Sequence, residues 1–506
     1  MMYNSEFPYC SPGLLSTLHA RGRRLLPTLL GMSALLLLQS CSLLLDFDEC
    51  ATDSDCAGAG VCTEGICKPP PTEAVINIIA EDTTWTADKV YLLKDVITIT
   101  SPAVLTIEPG TKVLAEKGAA LVALPGARIE AVGTRQAPIV FSSAEPVGRR
   151  RAGDWGGVAL IGKAKVSRED FNLRINADEQ QPIVGGTDDN WNCGTIKYTR
   201  IEFGGGFVEG DNALNGLTLA GCGKETTVDY VHIHKGDDDN LEIFGGSVDI
   251  RHILLTRAGD DPFDIDTGWH GTAQFLAIQQ DPVGNNSLEI GGLKEDHTAE
   301  PLTDIKIYNY TLIGGQGGGD IQRGAHIKEG ARAFMSHGII MGHHTVGVEV
   351  SDEASIQGAR DGHTVVQHTL FYEVGLNGDS YFHAGASVPA DPGSGDAGLD
   401  AGSEDAGGTD ADTNSDPGGS EEGEYFDQVA YFTQPGFNNI FGEDPGIERP
   451  FDLTNPSWVP SATHTTGAAI TPPPVAEGFD PTGVYLGAFR PGEIPWTEGW
   501  TDYPLN

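Results

Sequence analysis

Val231-His232-Ile233-His234-Lys235-Gly236-Asp237-Asp238 is followed 22 residues later by Ile253-Leu254-Leu255-Thr256-Arg257-Ala258-Gly259-Asp260. Both are apolar runs that close on an acidic turn. A third copy, Phe275-Leu276-Ala277-Ile278-Gln279-Gln280-Asp281, begins 22 residues further on, and looser ones stand at Ile201-Glu202-Phe203, Tyr310-Thr311-Leu312-Ile313, Gly338-Ile339-Ile340-Met341 and Thr369-Leu370-Phe371-Tyr372. Upstream, runs such as Val96-Ile97-Thr98-Ile99, Leu105-Thr106-Ile107, Lys112-Val113-Leu114 and Pro138-Ile139-Val140-Phe141 alternate in period two and are rich in β-branched residues, which reads as strand. Short strands at this spacing suit a sandwich, a propeller or a β-helix. The repeat decides among them. Three short strands in 22 residues make one coil of a β-helix, whereas a propeller blade needs about 40 residues or more. The fold class expected is all-β, a right-handed parallel β-helix (solenoid) with a small N-terminal Cys-rich module.

The 506 residues hold 31 Lys and Arg against 72 Asp and Glu, a formal charge of −41. Nucleic acid and anionic membrane surfaces are bound through clustered positive charge, and no basic patch is visible, so nucleic acid is excluded as a partner. Gly, at 67 residues, is enriched, which fits frequent turns.

The first forty residues read as an export signal. Arg21, Arg23 and Arg24 precede the apolar run from Leu25 to Leu38, which is shorter than the about 20 residues of a membrane span. Leu38-Gln39-Ser40-Cys41 then resembles a bacterial lipoprotein box, with Gln39 a departure from its usual pattern, and makes Cys41 the expected lipidation site. Cys50, Cys56, Cys62 and Cys67 follow in a stretch with almost no apolar content. Their spacing lacks the CxxC pairs that zinc sites favour, so disulfides are expected to staple it. Cys193 and Cys222 flank an extended turn and are expected to form a further disulfide. The domains expected are a signal peptide at 1–40, a lipidated Cys-rich module with a Pro spacer at 41–71, the β-helix at 72–390, a disordered insert at 391–424, and C-terminal coils with a cap at 425–506. The insert carries eleven acids and no Lys or Arg. It has nothing with which to form a core.

Val104-Leu105-Thr106-Ile107-Glu108-Pro109-Gly110-Thr111, followed by Gly126-Ala127-Arg128-Ile129-Glu130 and Ala137-Pro138-Ile139-Val140-Phe141, resembles the first coils of pectate-lyase-like β-helix proteins. Gly153-Asp154-Trp155-Gly156-Gly157, Asp264-Ile265-Asp266-Thr267-Gly268-Trp269, Tyr485-Leu486-Gly487-Ala488-Phe489 and Trp496-Thr497-Glu498-Gly499-Trp500 are similar to a family of bacterial surface lipoproteins with no established activity. The resemblance covers about residues 75 to 506 apart from the insert. It implies fold and location, and fold alone does not assign a function.

Asp237, Asp238, Asp239, Asp260, Asp261, Asp264 and Asp266 recur at the 22-residue period and are expected on one edge of neighbouring coils. Carboxylates so gathered form a candidate calcium site, with oxygen ligands at roughly 2.3–2.6 Å; the plainer role is to cap turns by bonding their own backbone. For catalysis the candidates are Asp238, Asp239, Asp260, Asp261, Arg323, Lys328 and His337. Polygalacturonase-type hydrolases of this fold carry comparable groups, but here Arg323 and Lys328 precede His337, which departs from that order. His232 with His234 and His343 with His344 are read as solvent-facing or turn histidines, Trp155 and Trp269 as structural, and the Gly204 and Gly317 triplets as tight turns. The function expected is a lipid-anchored cell-surface module for binding or adhesion, with polysaccharide or another surface component as partner, calcium as cofactor, and the membrane met only through the lipid. The location expected is the outer membrane or cell surface of a Gram-negative bacterium. A polysaccharide lyase or glycoside hydrolase is the alternative, and a structural envelope component the third.

Overall fold

The computed structural model describes residues 61–63, 66–68, 70–76, 78–168, 170–175, 181–209, 212–316, 321–384, 425–467 and 469–506. The expected signal peptide, Cys41, Cys50, Cys56, the Gly317 triplet and the insert at 391–424 lie outside the described residues. Two units separate, Met1–Pro69 and Pro70–Asn506. In the first, Val61–Thr63 and Ile66–Lys68 pair antiparallel, with the backbone of Cys62 opposite that of Cys67.

In the second unit, runs such as Val90–Leu93, Val96–Ile99 and Lys112–Ala115 bury every second side chain, as the period of a strand dictates. Each pairs in parallel with its counterpart on the next coil, and the described residues build one 15-stranded and one 9-stranded sheet. Inward side chains stack in register. Ile201, Ile233, Leu255, Ile278, Leu312, Ile340 and Phe371 form one such ladder in the longer sheet. Leu217, Leu241, Phe263, Leu288, Ala325 and Val348 form another in the shorter. All are buried. Each large apolar side chain contributes about 1.5–3 kcal/mol relative to exposure, and the neighbouring coils supply the contacts, so stability is shared along the stack. This is the parallel β-helix that the repeat predicts.

The pairing corrects the repeat in one detail. Val231 pairs with Ile253 at the expected offset, but Ile253 pairs with Leu276 rather than Phe275. Phe275 is instead a corner residue at φ 60°. The early coils keep separate strands, Arg128–Val132, Ile139–Ser143 and Gly157–Ile161. From Gly194–Glu202 onward two of the three fuse into one bent strand, whose halves pair with Arg128–Val132 and Ile139–Ser143. The bend falls on a non-glycine residue at positive φ in every coil: Tyr198, Tyr230, His252, Phe275, Asn309, His337 and His368. That conformation costs about 1–2 kcal/mol for an L-residue. Ring stacking offsets it in part, with centroids 4.4 Å apart for Tyr198 and Tyr230, 4.1 Å for Tyr230 and His252, and 4.8 Å for His252 and Phe275.

The C-terminal end is capped. Gln428, on the helix Gln428–Phe432, accepts from the Val350 amide at 2.9 Å and donates to the Val350 carbonyl at 2.7 Å, which satisfies an edge that would otherwise be open. Ile440–Phe441 adds a last short strand. Among the described residues, 447–467 and 469–506 form no further coil. They run back along the outer flank of the longer sheet, where Trp458, Leu486 and Phe489 cover the outward side chains of Leu254, Ala277, Ile339 and Leu370. Trp500 reaches Tyr198 and Tyr230.

The shorter sheet is covered on only part of its outer face. Phe171, Leu173, Ile175 and Val184, from the connection between Gly157–Ile161 and Gly194–Glu202, pack on Ala120, Val122, Ala159 and Ile161. Cys193 and Cys222 are joined by a disulfide, with Cα atoms 5.8 Å apart, beside this connection. No helix among the described residues is long and apolar enough to cross a membrane.

Candidate cation site on the acidic face

Beyond the covered part, the outward positions of the shorter sheet turn polar. Val122 and Ala159 are followed in register by Thr218, Glu242, Asp264, Glu289, His326 and Glu349, one per coil. The reason is local: each lies at the centre of an apolar–polar–apolar triplet, as in Leu241-Glu242-Ile243 or Leu288-Glu289-Ile290, so the flanking residues bury and the central one must point out. Asp266 and Lys328 lie two residues along on the same face.

Turns at one edge of this face bring in further acids. Ligand oxygens of Asp239, Glu242 and Asp264 lie within 4.8 Å of one another, as do those of Asp238, Asp239 and Asp260. Asp239 belongs to both groups. Asp261 is 4% exposed, and its Oδ1 has no hydrogen-bond partner; its other oxygen is 3.4 Å from Asn286 Nδ2, which also donates to Glu289 at 2.8 Å. The backbone amide of Asp261 donates to Asp239 Oδ1 at 3.1 Å, so the turn role expected of these acids is present as well. Asn215 donates to Glu242.

Crowding acts on the protons. Burial first, and then the neighbouring carboxylates, raise Asp239, Glu242, Asp261 and Asp264 well above the ordinary carboxylate range. Asp238 is pushed up to about 6 by burial, Asp260 and Asp237, and burial carries Asp266 to about 7. Burial is the largest influence on Glu289 and works to raise it, but Lys328, His326 and a hydrogen bond with Asp261 together hold it below its usual value. Lys328 Nζ is 2.5 Å from Glu289 Oε1. Arg323 pairs with Glu349 and donates to Asn286 Oδ1 at 3.2 Å. Burial lowers His326 to about 4, leaving the ring neutral at pH 7, with Nε2 2.6 Å from Ser351 Oγ.

Of the residues singled out in the sequence, the fold brings Asp238, Asp239, Asp260, Asp261, Asp264, Asp266, Arg323 and Lys328 to this face. Asp237 turns toward the loop at Gly153 and Asp154. His337 is a corner residue of the longer sheet, bonded to Ser336 Oγ and to the Thr471 carbonyl, each at 2.8 Å, so it joins none of the acids. His232 and His234 are neither solvent-facing nor in turns: both are wholly buried beneath the C-terminal segment, where His234 Nε2 lies 3.0 Å from the Pro504 carbonyl. His343 is buried with Nε2 2.7 Å from Ser287 Oγ. Trp155 and Trp269 are buried and donate to the carbonyls of Glu202 and Val248. Clefts of about 850 Å³ beside Leu92 and Leu114, and of about 790 Å³ between Trp458 and Tyr503, include none of the acidic-face residues.

The parallel coil agrees with the family comparison: the model of the pectate-lyase-like beta helix domain matches residues 77–406. The chain belongs to that family. Comparison with curated proteins and with solved structures gave no match.

Within this pectate-lyase-like beta helix, sequence reasoning missed Glu242, Glu289, His326 and Glu349. The signal was present as the repeated triplet, but the acidic runs at the turns drew the reading instead. The reading that no basic patch exists is also corrected. Arg149, Arg150 and Arg151 meet Lys235 around a cleft of about 400 Å³, and only folding brings Lys235 to the arginines.

Proposed function

We propose that this chain is a lipid-anchored surface binding module whose acidic face takes Ca²⁺ and, through it, a polysaccharide. The observation that carries the reading is the Asp239, Glu242 and Asp264 group, with ligand oxygens within 4.8 Å of one another. Three carboxylates this close resist ionising together, and a divalent cation with oxygen ligands removes that penalty. A chain of charge −41 also draws cations toward itself. The residues that would hold the ion are Asp238, Asp239, Glu242, Asp260 and Asp264.

A second reading, glycan cleavage on the same face, has one observation in its favour: His326 is neutral at pH 7, and its Nδ1 lies 4.0 Å from Glu289 Oε2. Against it, Lys328 and Arg323 are both tied into ion pairs, and a lysine held protonated is a poor base.

The test is a titration of the mature chain with calcium, followed by a glycan array with and without chelator, read for both retention and cleavage. Retention that chelator abolishes supports the binding module, and cleavage supports the second reading. Absence of calcium binding would remove the proposal. Calcium binding without any glycan retained would point to a structural envelope role.

A further inference from the structure

We propose that the cleft between the arginine loop and the end of the C-terminal segment is an oxyanion site for a sulfate or phosphate ester carried on a sugar. Arg149, Arg150, Arg151 and Lys235 line it together with Gly148, Ala152, Leu505 and Asn506, and no Asp or Glu side chain does, although Arg149 and Arg151 also border the cleft beside Leu92, where Glu116, Glu145 and Asp154 stand. That is unusual in a chain whose acids outnumber its cations 72 to 31. Among the described residues, the guanidinium groups of Arg149 and Arg151 have neither a hydrogen bond nor an ion pair.

The other two cations are held in place. Arg150 donates from Nε to the Glu145 carbonyl at 3.1 Å and points a second nitrogen at Ser142 Oγ, 3.5 Å away. Lys235 donates to the Leu505 carbonyl at 2.7 Å and lies 5.8 Å from the centre of the Phe203 ring. Two anchored cations and two arginines without a side-chain partner thus line a volume of about 400 Å³, within the range of small-molecule sites.

A guanidinium fork matches the oxygens of phosphate and sulfate. Such esters present several acceptor oxygens, which suits donors arriving from the arginine loop on one side and Lys235 on the other. A continuous polyanion is a poor occupant, because the rest of the chain repels it. A single ester on an otherwise neutral sugar meets only the cleft.

The test is calorimetric titration of the full chain in chelator, so that the outcome does not depend on the calcium reading. The probes are glucose 6-sulfate, glucose 6-phosphate and unmodified glucose. One or both esters are expected to bind, with the two arms identifying which, and glucose is not. Affinity should fall at least tenfold in Arg149→Ala/Arg151→Ala and less in Arg149→Lys/Arg151→Lys, whose charges are kept but whose planar forks are lost. Urea midpoints establish that the variants fold, and Lys235→Gln provides an independent variant on the opposite side of the cleft. Failure of both esters to bind, or equal binding by the double alanine variant, overturns the proposal.

Discussion

Lys328 Nζ lies 2.5 Å from Glu289 Oε1 on the neighbouring coil, among carboxyls that burial pushes toward the protonated state. The ion pair divides the acidic face in two. On one side Glu289 stays ionised beside its lysine, and on the other Asp239, Glu242 and Asp264 crowd one another.

Lys328→Met removes the cation and leaves Glu289 without its partner. In chelator at pH 8 the loss of stability should be about 2 kcal/mol, below the range for fully buried pairs because Lys328 remains partly exposed. Calcium should restore part of it. Urea unfolding in both conditions decides the matter, and an equal loss with and without calcium would rule out a shared electrostatic origin.

The raised carboxyls set a pH dependence. Asp238 near 6 and Asp266 near 7 bind protons in the folded chain that the unfolded chain, near pKa 3.9, has released. Their contribution is therefore fully present below about pH 4 and is lost as pH rises through about 7. His234 near 3 and His326 near 4 act in the opposite sense, since their neutral rings must be charged for the unfolded state's advantage to appear, and their contribution is lost as pH falls below about 6.5. Calcium acts on the carboxyls alone. The calcium-induced rise in melting temperature should thus be larger at pH 8 than at pH 5, and a shift independent of pH would exclude the cluster as its site.

Asp239 belongs to both carboxylate groups. Asp239→Asn should abolish the calcium-dependent shift while leaving the chelated protein at pH 8 no less stable, since a crowded like charge is removed. Scanning calorimetry of the variant, with and without calcium, checks both halves of the expectation.

Tyr230 turns its corner at φ 56°. Asn adopts that conformation more readily than a β-branched residue, so Tyr230→Val should be less stable than Tyr230→Asn by about 1–2 kcal/mol, although both lose the stack. Equal urea midpoints would show that the corner carries no backbone strain.

Trp500 is 1% exposed and holds the C-terminal segment against Tyr198 and Tyr230. Trp500→Ala should cost about 3 kcal/mol, spent first on releasing the segment rather than on melting coils, because those contacts lie outside the ladders. Limited proteolysis should then cut within residues 470–506 before the remainder. Simultaneous loss of both would contradict that order.

The coil was legible because the pairing is repetitive: Val231 to Ile253 is one turn of the stack, and the same apolar pattern returns wherever a strand must fill the same layer. The offset failed at Phe275, where the connection is one residue longer and no apolar pattern marks the extra position. Glu242 and Glu289 were readable in principle from their triplets. The burial of His234 was not, because the residue that covers it, Pro504, lies 270 positions away.

What the sequence determined by itself is the parallel coil, since each coil touches chiefly the next and a short-range pattern suffices to specify such contacts. Only the tertiary structure decided which face is exposed and what gathers there. The connection around Phe171 covers the start of the shorter sheet, and the segment from Ile447 onward covers the flank of the longer one. Both coverings join residues far apart in the chain, and the side chains they leave open, acids on one face and arginines beside Lys235 on another, are set by that packing and by no periodicity.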